Sequence, residues 1–202
     1  MLIDLGAGTH VHTLDFFIYS DAGLLVVVPE PTSIENAYVF MKSIMFRKIQ
    51  NICRAFEINT ELENSILQKV ISPSQGVTPF NEFHKFISGN TMVDNEIIDI
   101  IKATNIGIVM NQVRTQEDKD LGLSMSSICS QYFGFSSQFL GSMRYDDSVW
   151  KSIRIRKSLI VDYPHSVASS NIYQITDALI RTYEPLRKEI PPREFAIEAK
   201  AV

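Results

Sequence analysis

The stretch that decides the fold is "LLVVVPEPTSIENAY", Leu24 to Tyr38. An apolar run without polar alternation, Leu24–Val28, is the pattern of a strand buried on both faces, and Pro29 and Pro31 end it. Pro31-Thr32-Ser33-Ile34-Glu35 then offers a capping-box start to a helix. Along that helix Ile34, Tyr38, Met41, Met45, Ile49, Ile52 and Phe56 recur on one face. A buried strand running into an amphipathic helix is the repeating unit of a parallel α/β sheet.

Working outward, three further short apolar runs read as strands: Leu2–Leu5, Ile106–Met110 and Phe139–Met143. Helical periodicity appears at Glu117–Phe133 (Leu121, Met125, Ile128, Tyr132), at Asp147–Ile155, and at Ser166–Arg187 (Ile172, Ile175, Leu179, Tyr183, Leu186). The expected fold is α/β, a three-layer parallel sheet with helices on both faces, in a single domain over 1–190. Residues 57–104 exceed what a crossover needs and read as a helical insert around the loop "SPSQGVTPFNEF"; 191–202, with its proline pair, reads as a flexible tail.

With 202 residues, 45% of them hydrophobic, the chain can bury the core of one domain. Its 19 Lys+Arg against 23 Asp+Glu give a formal charge of −4, so nothing global draws it to nucleic acid or an anionic membrane. Cys53 and Cys129 fall on apolar helix faces at a spacing that matches no metal-ligand or redox pattern, which suits a reducing cytoplasm. Asp4, His10, Asp15 and Asp21 interrupt the first thirty residues, unlike a signal peptide, and no stretch approaches the roughly twenty apolar residues of a membrane span. A soluble, cytoplasmic protein is expected.

Two places can carry chemistry. Asp4-Leu5-Gly6-Ala7-Gly8 has the form of a Walker B and switch element, in which a carboxylate holds the water shell of Mg²⁺ and a glycine amide reaches a terminal phosphate. Its other reading is a flexible strand-to-helix turn. "NIGIVMNQVRT" is a strand ending in Asn111, whose amide can pair with the N6/N7 edge of adenine; its other reading is a strand-end turn residue. Ligands of parallel sheets sit at such carboxyl ends.

"IDLGAGT", "VVPEPTSIENAY", "IVMNQVRT", "QYFGF", "FLGSMRYDDSVW" and "RIRKSLIVDYPHS" follow one another as in the MinD/ParA class of P-loop ATPases. The chain most resembles the FlhG-like branch, over nearly its whole length. The resemblance implies that Asp4 is the Walker B aspartate holding Mg²⁺ through water, that Gly8 lies near the terminal phosphate, and that Asn111 reads the base. It places Tyr145 and Asp146 in the loop that closes over adenine, where the family usually has proline at the position of Arg144. It further implies ATP and Mg²⁺ as cofactors, a protein partner or a homodimer, and a role in placing or counting flagella.

That class carries its glycine-rich phosphate loop, first strand and water-positioning aspartate ahead of the Walker B strand, and this sequence contains no G-x-x-x-x-G-K-[ST] stretch. Weak or absent ATP binding, no catalytic residue and no hydrolysis are therefore expected, as from the C-terminal portion of a truncated or wrongly started reading frame. In the family the phosphate-loop strand lies between the counterparts of Leu2–Leu5 and Leu24–Val28, so exposed edges and apolar surface are expected here. The alternative function is a non-catalytic protein-interaction module of the same fold.

The remaining candidates read more simply. His10 and His12, near Asp4 and Asp15, read as loop histidines in preference to a zinc site, and His165 as packing at the start of the last helix. Ser126-Ser127, Ser136-Ser137 and Ser169-Ser170 lack any activating neighbour, and there is no G-x-S-x-G elbow. "KSIRIRK", with Lys151, Arg154, Arg156 and Lys157, is the densest basic patch, read as a solvated helix end; its alternatives are an acidic partner, a nucleotide or a phospholipid. No DNA binding is expected, and no membrane attachment, because too few apolar residues follow the last helix.

Overall fold

The structure, a computed structural model, describes residues 1–58, 60–71, 80 and 91–189. Three strands run parallel, with β2 (Asn105–Val113) between β1 (Gly23–Val27) and β3 (Ser136–Arg144). Eight α-helices are described: α1 (Val11–Tyr19), α2 (Pro31–Ala55), α3 (Thr60–Ile71), α4 (Thr91–Lys102), α5 (Gln116–Ile128), α6 (Asp147–Arg154), α7 (Leu159–Asp162) and α8 (Val167–Glu189). The class is α/β.

Five consecutive residues of β2, Ile106–Met110, are buried, and because successive strand residues face opposite ways, both faces of the sheet are covered there. On one face Ile106, Ile108 and Met110 enter the main core with Met41, Ile44, Ile49 and Cys53 of α2 and Ile97 and Ile101 of α4. Helix α5 lies on this face too. A Cβ added to its Gly122 would stand 2.3 Å from Phe139 of β3 and 2.7 Å from Met110, so only glycine permits so close an approach. On the other face Gly107 meets Leu140 and Tyr183 of α8.

That second layer stops short of β1. Leu24 and Val26 are in register with Gly107 and Val109, yet they remain 37% and 56% exposed, and among the described residues no strand pairs with the far edge of β1. The exposed edge and apolar surface expected from the sequence are present.

The expected strand at Leu2–Leu5 does not form. Met1 to Asp4 are exposed in an irregular segment, and only Leu5 packs against the core. A strand persists only where a neighbour pairs its N–H and C=O groups, and nothing described lies alongside this run to do so. The start of α2 also differs from the expected capping box. Pro31 takes the first helical position, where its missing N–H costs nothing, and the Ser33 hydroxyl turns back to accept from the Val28 amide at 3.2 Å.

Along α5 the expected stripe is rotated: Leu121 and Ile128 are exposed, while Gly122 and Met125 are buried, because the helix seats its glycine on the sheet. The helix passes into a π-helical turn, Cys129–Phe133, and stops at Gly134, whose φ of 71° and missing Cβ admit the Phe80 ring. His12 lies within α1, not in a loop, and His10 caps that helix without a side-chain bond. Asp15 of α1 makes a two-pronged ion pair with Arg47 of α2, at 2.8 and 2.9 Å. Of the expected insert, α3 and α4 are helical and pack on α2; most of its loop, like the tail 191–202, lies outside the described residues.

Candidate functional site

The carboxyl ends of β2 and β3 converge with the N-termini of α5 and α6. Asn111 is half-buried, and its Oδ1 accepts from the next backbone amide, Gln112 N–H, at 2.8 Å. Gln112 adopts a left-handed φ of 58°, and the pairing of β2 with β3 slips between Met110 and Val113. Two residues are thus bulged out of the ladder at the tip of the middle strand, a device that re-aims side chains beside binding sites. Among the described residues Asn111 makes no other side-chain hydrogen bond, which leaves the second lone pair of Oδ1 and both hydrogens of Nδ2 available.

Beyond the bulge the strands re-engage. Val113 accepts from Tyr145 N–H at 2.9 Å, which brings Tyr145 to the same end of the sheet as Asn111. The exposed Tyr145 ring carries the Arg114 guanidinium, 4.5 Å from its centroid. Arg114 is held from behind: the Asp118 carboxylate accepts from the backbone N–H groups of Arg114 and Thr115, and Thr115 in turn caps α5 by accepting from Asp118 N–H. These amides hold the Asp118 carboxyl below the usual carboxylate range. The T-x-x-D spacing from Thr115 to Asp118 is the sequence signature of this capping box.

Asp146 follows Tyr145 in the same loop, and its carboxylate is engaged by the chain itself. Its Oδ1 accepts from both the hydroxyl and the backbone N–H of Ser148, capping α6, while Oδ2 accepts from Ala168 N–H at 3.0 Å in the first turn of α8. The Ser148 hydroxyl, then the two backbone amides, hold its carboxyl low. The Arg144 amide is tied to α8 as well, donating to Asn171 Oδ1 at 3.1 Å. Asp146 is thus a tie between helices, and Tyr145 beside it is the side chain that faces outward. Ionised carboxylates so fully engaged by donors are poor proton carriers near neutral pH.

Asp4 and Gly8 are not brought to this end. Both are exposed in the irregular N-terminal segment, Gly8 at φ 119° with open space around it, and no sheet pairing or hydrogen bond links them to Asn111 or Tyr145. Asp4 offers one carboxylate on an exposed segment, and among the described residues no three His, Cys, Asp or Glu side chains gather as a metal site. At the strand ends Asn111 presents an amide edge and Tyr145 an exposed aromatic face.

Cys53 and Cys129 are buried free thiols, and burial raises both, that of Cys129 to about 12. His165 is exposed; it is the Ser166 hydroxyl that accepts from Ser169 N–H at the start of α8. Among the described residues no helix is long and apolar enough to cross a membrane. Compared with models of protein families and with curated proteins, the chain matches none.

Proposed function

We propose that this chain is the base-reading part of a nucleotide-switched regulator of the MinD/ParA class, FlhG-like, acting in flagellar number or polar placement and not hydrolysing ATP by itself. The observation that carries the reading is the bulge at Asn111–Gln112, set beside the Arg114–Tyr145 stack at the carboxyl ends of two parallel strands. A strand-end amide and an adjacent aromatic face are what a purine needs for edge recognition and stacking. ATP and Mg²⁺ enter as the ligands of that class. In this reading the residues at the strand ends hold the base and no described residue is assigned to the phosphates, so no chemical step is assigned.

The reading has a direct test in competition binding with a fluorescent adenosine analogue. Adenosine and ATP should compete within a few-fold of each other, with or without Mg²⁺, and guanosine should not compete. Asn111→Ala and Tyr145→Ala should each abolish binding, whereas Asp4→Ala should leave it unchanged. A folded protein that binds no adenosine, or whose binding survives both substitutions at the strand ends, would overturn the proposal. The second reading, a protein-interaction module, is favoured by the large apolar side chains exposed on α6 and α7.

A further inference from the structure

We infer that the outer side of α6 and α7 is a docking surface for an acidic amphipathic helix of a protein partner. Helix α6 turns Ser148, Val149 and Ser152 inward and Trp150 and Ile153 outward. Those two are 57% and 69% exposed, and Val161 on the neighbouring α7 is 76% exposed. The two helices touch each other, so these exposed apolar side chains lie on neighbouring elements. Lys151, Arg154 and Arg156 stand among them, and among the described residues none of the three makes an ion pair.

The cations are arranged, not merely present. Arg154 lies over the Trp150 ring, 5.1 Å from its centroid, so the charge stands directly beside the exposed indole. Arg156 holds a left-handed φ of 54° at a helix end where glycine is the unstrained choice, and the Lys157 amide closes that turn on Ser152 at 2.9 Å. The two helices thus expose apolar side chains together with three unpaired cations, while the acidic residues Asp147 and Asp162 lie at the helix ends and Asp162 is paired with Lys157, on a chain whose net charge is −4.

The complement of such a surface is apolar and anionic. A carboxylate helix meets it best, because a guanidinium fork pairs bidentately with carboxylates and leucines at helical spacing fill the centre. A membrane is a poorer fit, since helices that lie in the lipid interface are commonly far longer than the eight residues of α6 and the four of α7. Nucleic acid would leave Ile153 and Val161 without a use.

Trp150 is the chain's single tryptophan, so the surface carries its own reporter. The probe is an acetylated, amidated eighteen-residue helix with leucine at i, i+3, i+4 and i+7 and glutamate on its flanks, compared with the same peptide carrying lysine for glutamate. The glutamate peptide should shift the Trp150 emission to the blue, shield it from acrylamide and saturate, with affinity falling as salt is raised. The lysine peptide should do neither. The double variant Arg154→Glu, Arg156→Glu, with unchanged circular dichroism, should reverse that preference, which a merely structural role for the arginines would not do. Three results would overturn the inference: no response to the glutamate peptide, an equal response to both peptides, or a response only to phosphatidylserine vesicles or duplex DNA. The adenosine assay reads a different surface, so either result can fail alone.

Discussion

Alanine at position 146 should cost more than at any other proposed site residue, and the structure gives the reasons separately. Asp146 caps α6 through Ser148, and loss of such a cap costs about 1 kcal/mol. The same side chain accepts from the amide of Ala168, which is fully buried, and an orphaned buried N–H costs roughly 1–3 kcal/mol. The sum for Asp146→Ala is about 2–4 kcal/mol, or roughly 5–10 °C in Tm for a chain of this size. Asp146→Asn keeps an acceptor for the cap but turns an NH₂ toward Ala168, so it should still lose about 1–3 kcal/mol. Urea denaturation followed by circular dichroism reads both. The pH dependence supplies a second check. The carboxyl is depressed in the folded state, so its stabilisation is present above the unfolded value of about 3.9 and is lost as pH falls through the lower folded value. The gap between wild type and Asp146→Ala should be flat from pH 5 to 8 and close on further acidification. A loss below about 0.5 kcal/mol at pH 7, within the range of ordinary surface changes, would refute the assignment of Asp146 as a tie between α6 and α8.

Other perturbations test the packing. Gly122→Val forces a side chain into the 2.3 Å gap at Phe139, and overpacking of about 1–3 kcal/mol should exceed the roughly 0.5 kcal/mol gained by replacing a helical glycine with valine; a raised urea midpoint would show that α5 stands farther from the sheet. Cys129, fully buried and with its thiol pushed up to about 12, should resist iodoacetamide at pH 8 until the protein unfolds, so stoichiometric alkylation of the native protein would contradict its placement. Arg47→Met breaks the link from α1 to α2 and, for a partly exposed pair, should cost under about 1 kcal/mol globally while speeding amide exchange across Val11–Tyr19. Unchanged exchange there would mean α1 is held by Leu14 and Phe17 alone.

What the sequence disclosed depended on how local the cause was. The strands were readable from the short apolar runs at Leu24–Val28, Ile106–Met110 and Phe139–Met143, although only the middle strand is buried continuously, and the long helices because one face must repeat at helical spacing. The rotation of α5 was not readable, since Gly122 is chosen by Phe139 and Met110, which come from other strands. Leu2–Leu5 shows the limit from the other side. Its composition is that of a strand, but strand formation is a property of a pair, and composition says nothing about whether a neighbour is present.

The same distinction separates the residues of the candidate site. Asn111 and Tyr145 are placed by sheet geometry: parallel strands of matched length end together, and the Tyr145 amide bonds Val113 across the pair. Any sequence reading that finds both strand ends finds both residues. Asp146 was legible as a polar residue in the same loop, but its duty is set by the arrival of α8, about twenty residues later, with an amide at Ala168. Asp4 and Gly8 depend on a strand that is not formed, so their juxtaposition with Asn111 is an inference from motif order alone. The proposed site therefore divides into a half whose residues the described fold brings together, assigned here to the base, and a half implied by motif order alone, assigned to phosphate. An adenosine that binds as well as ATP is what that division requires, and a triphosphate preference of tenfold or more would show that the described sheet is not the whole of the recognition surface.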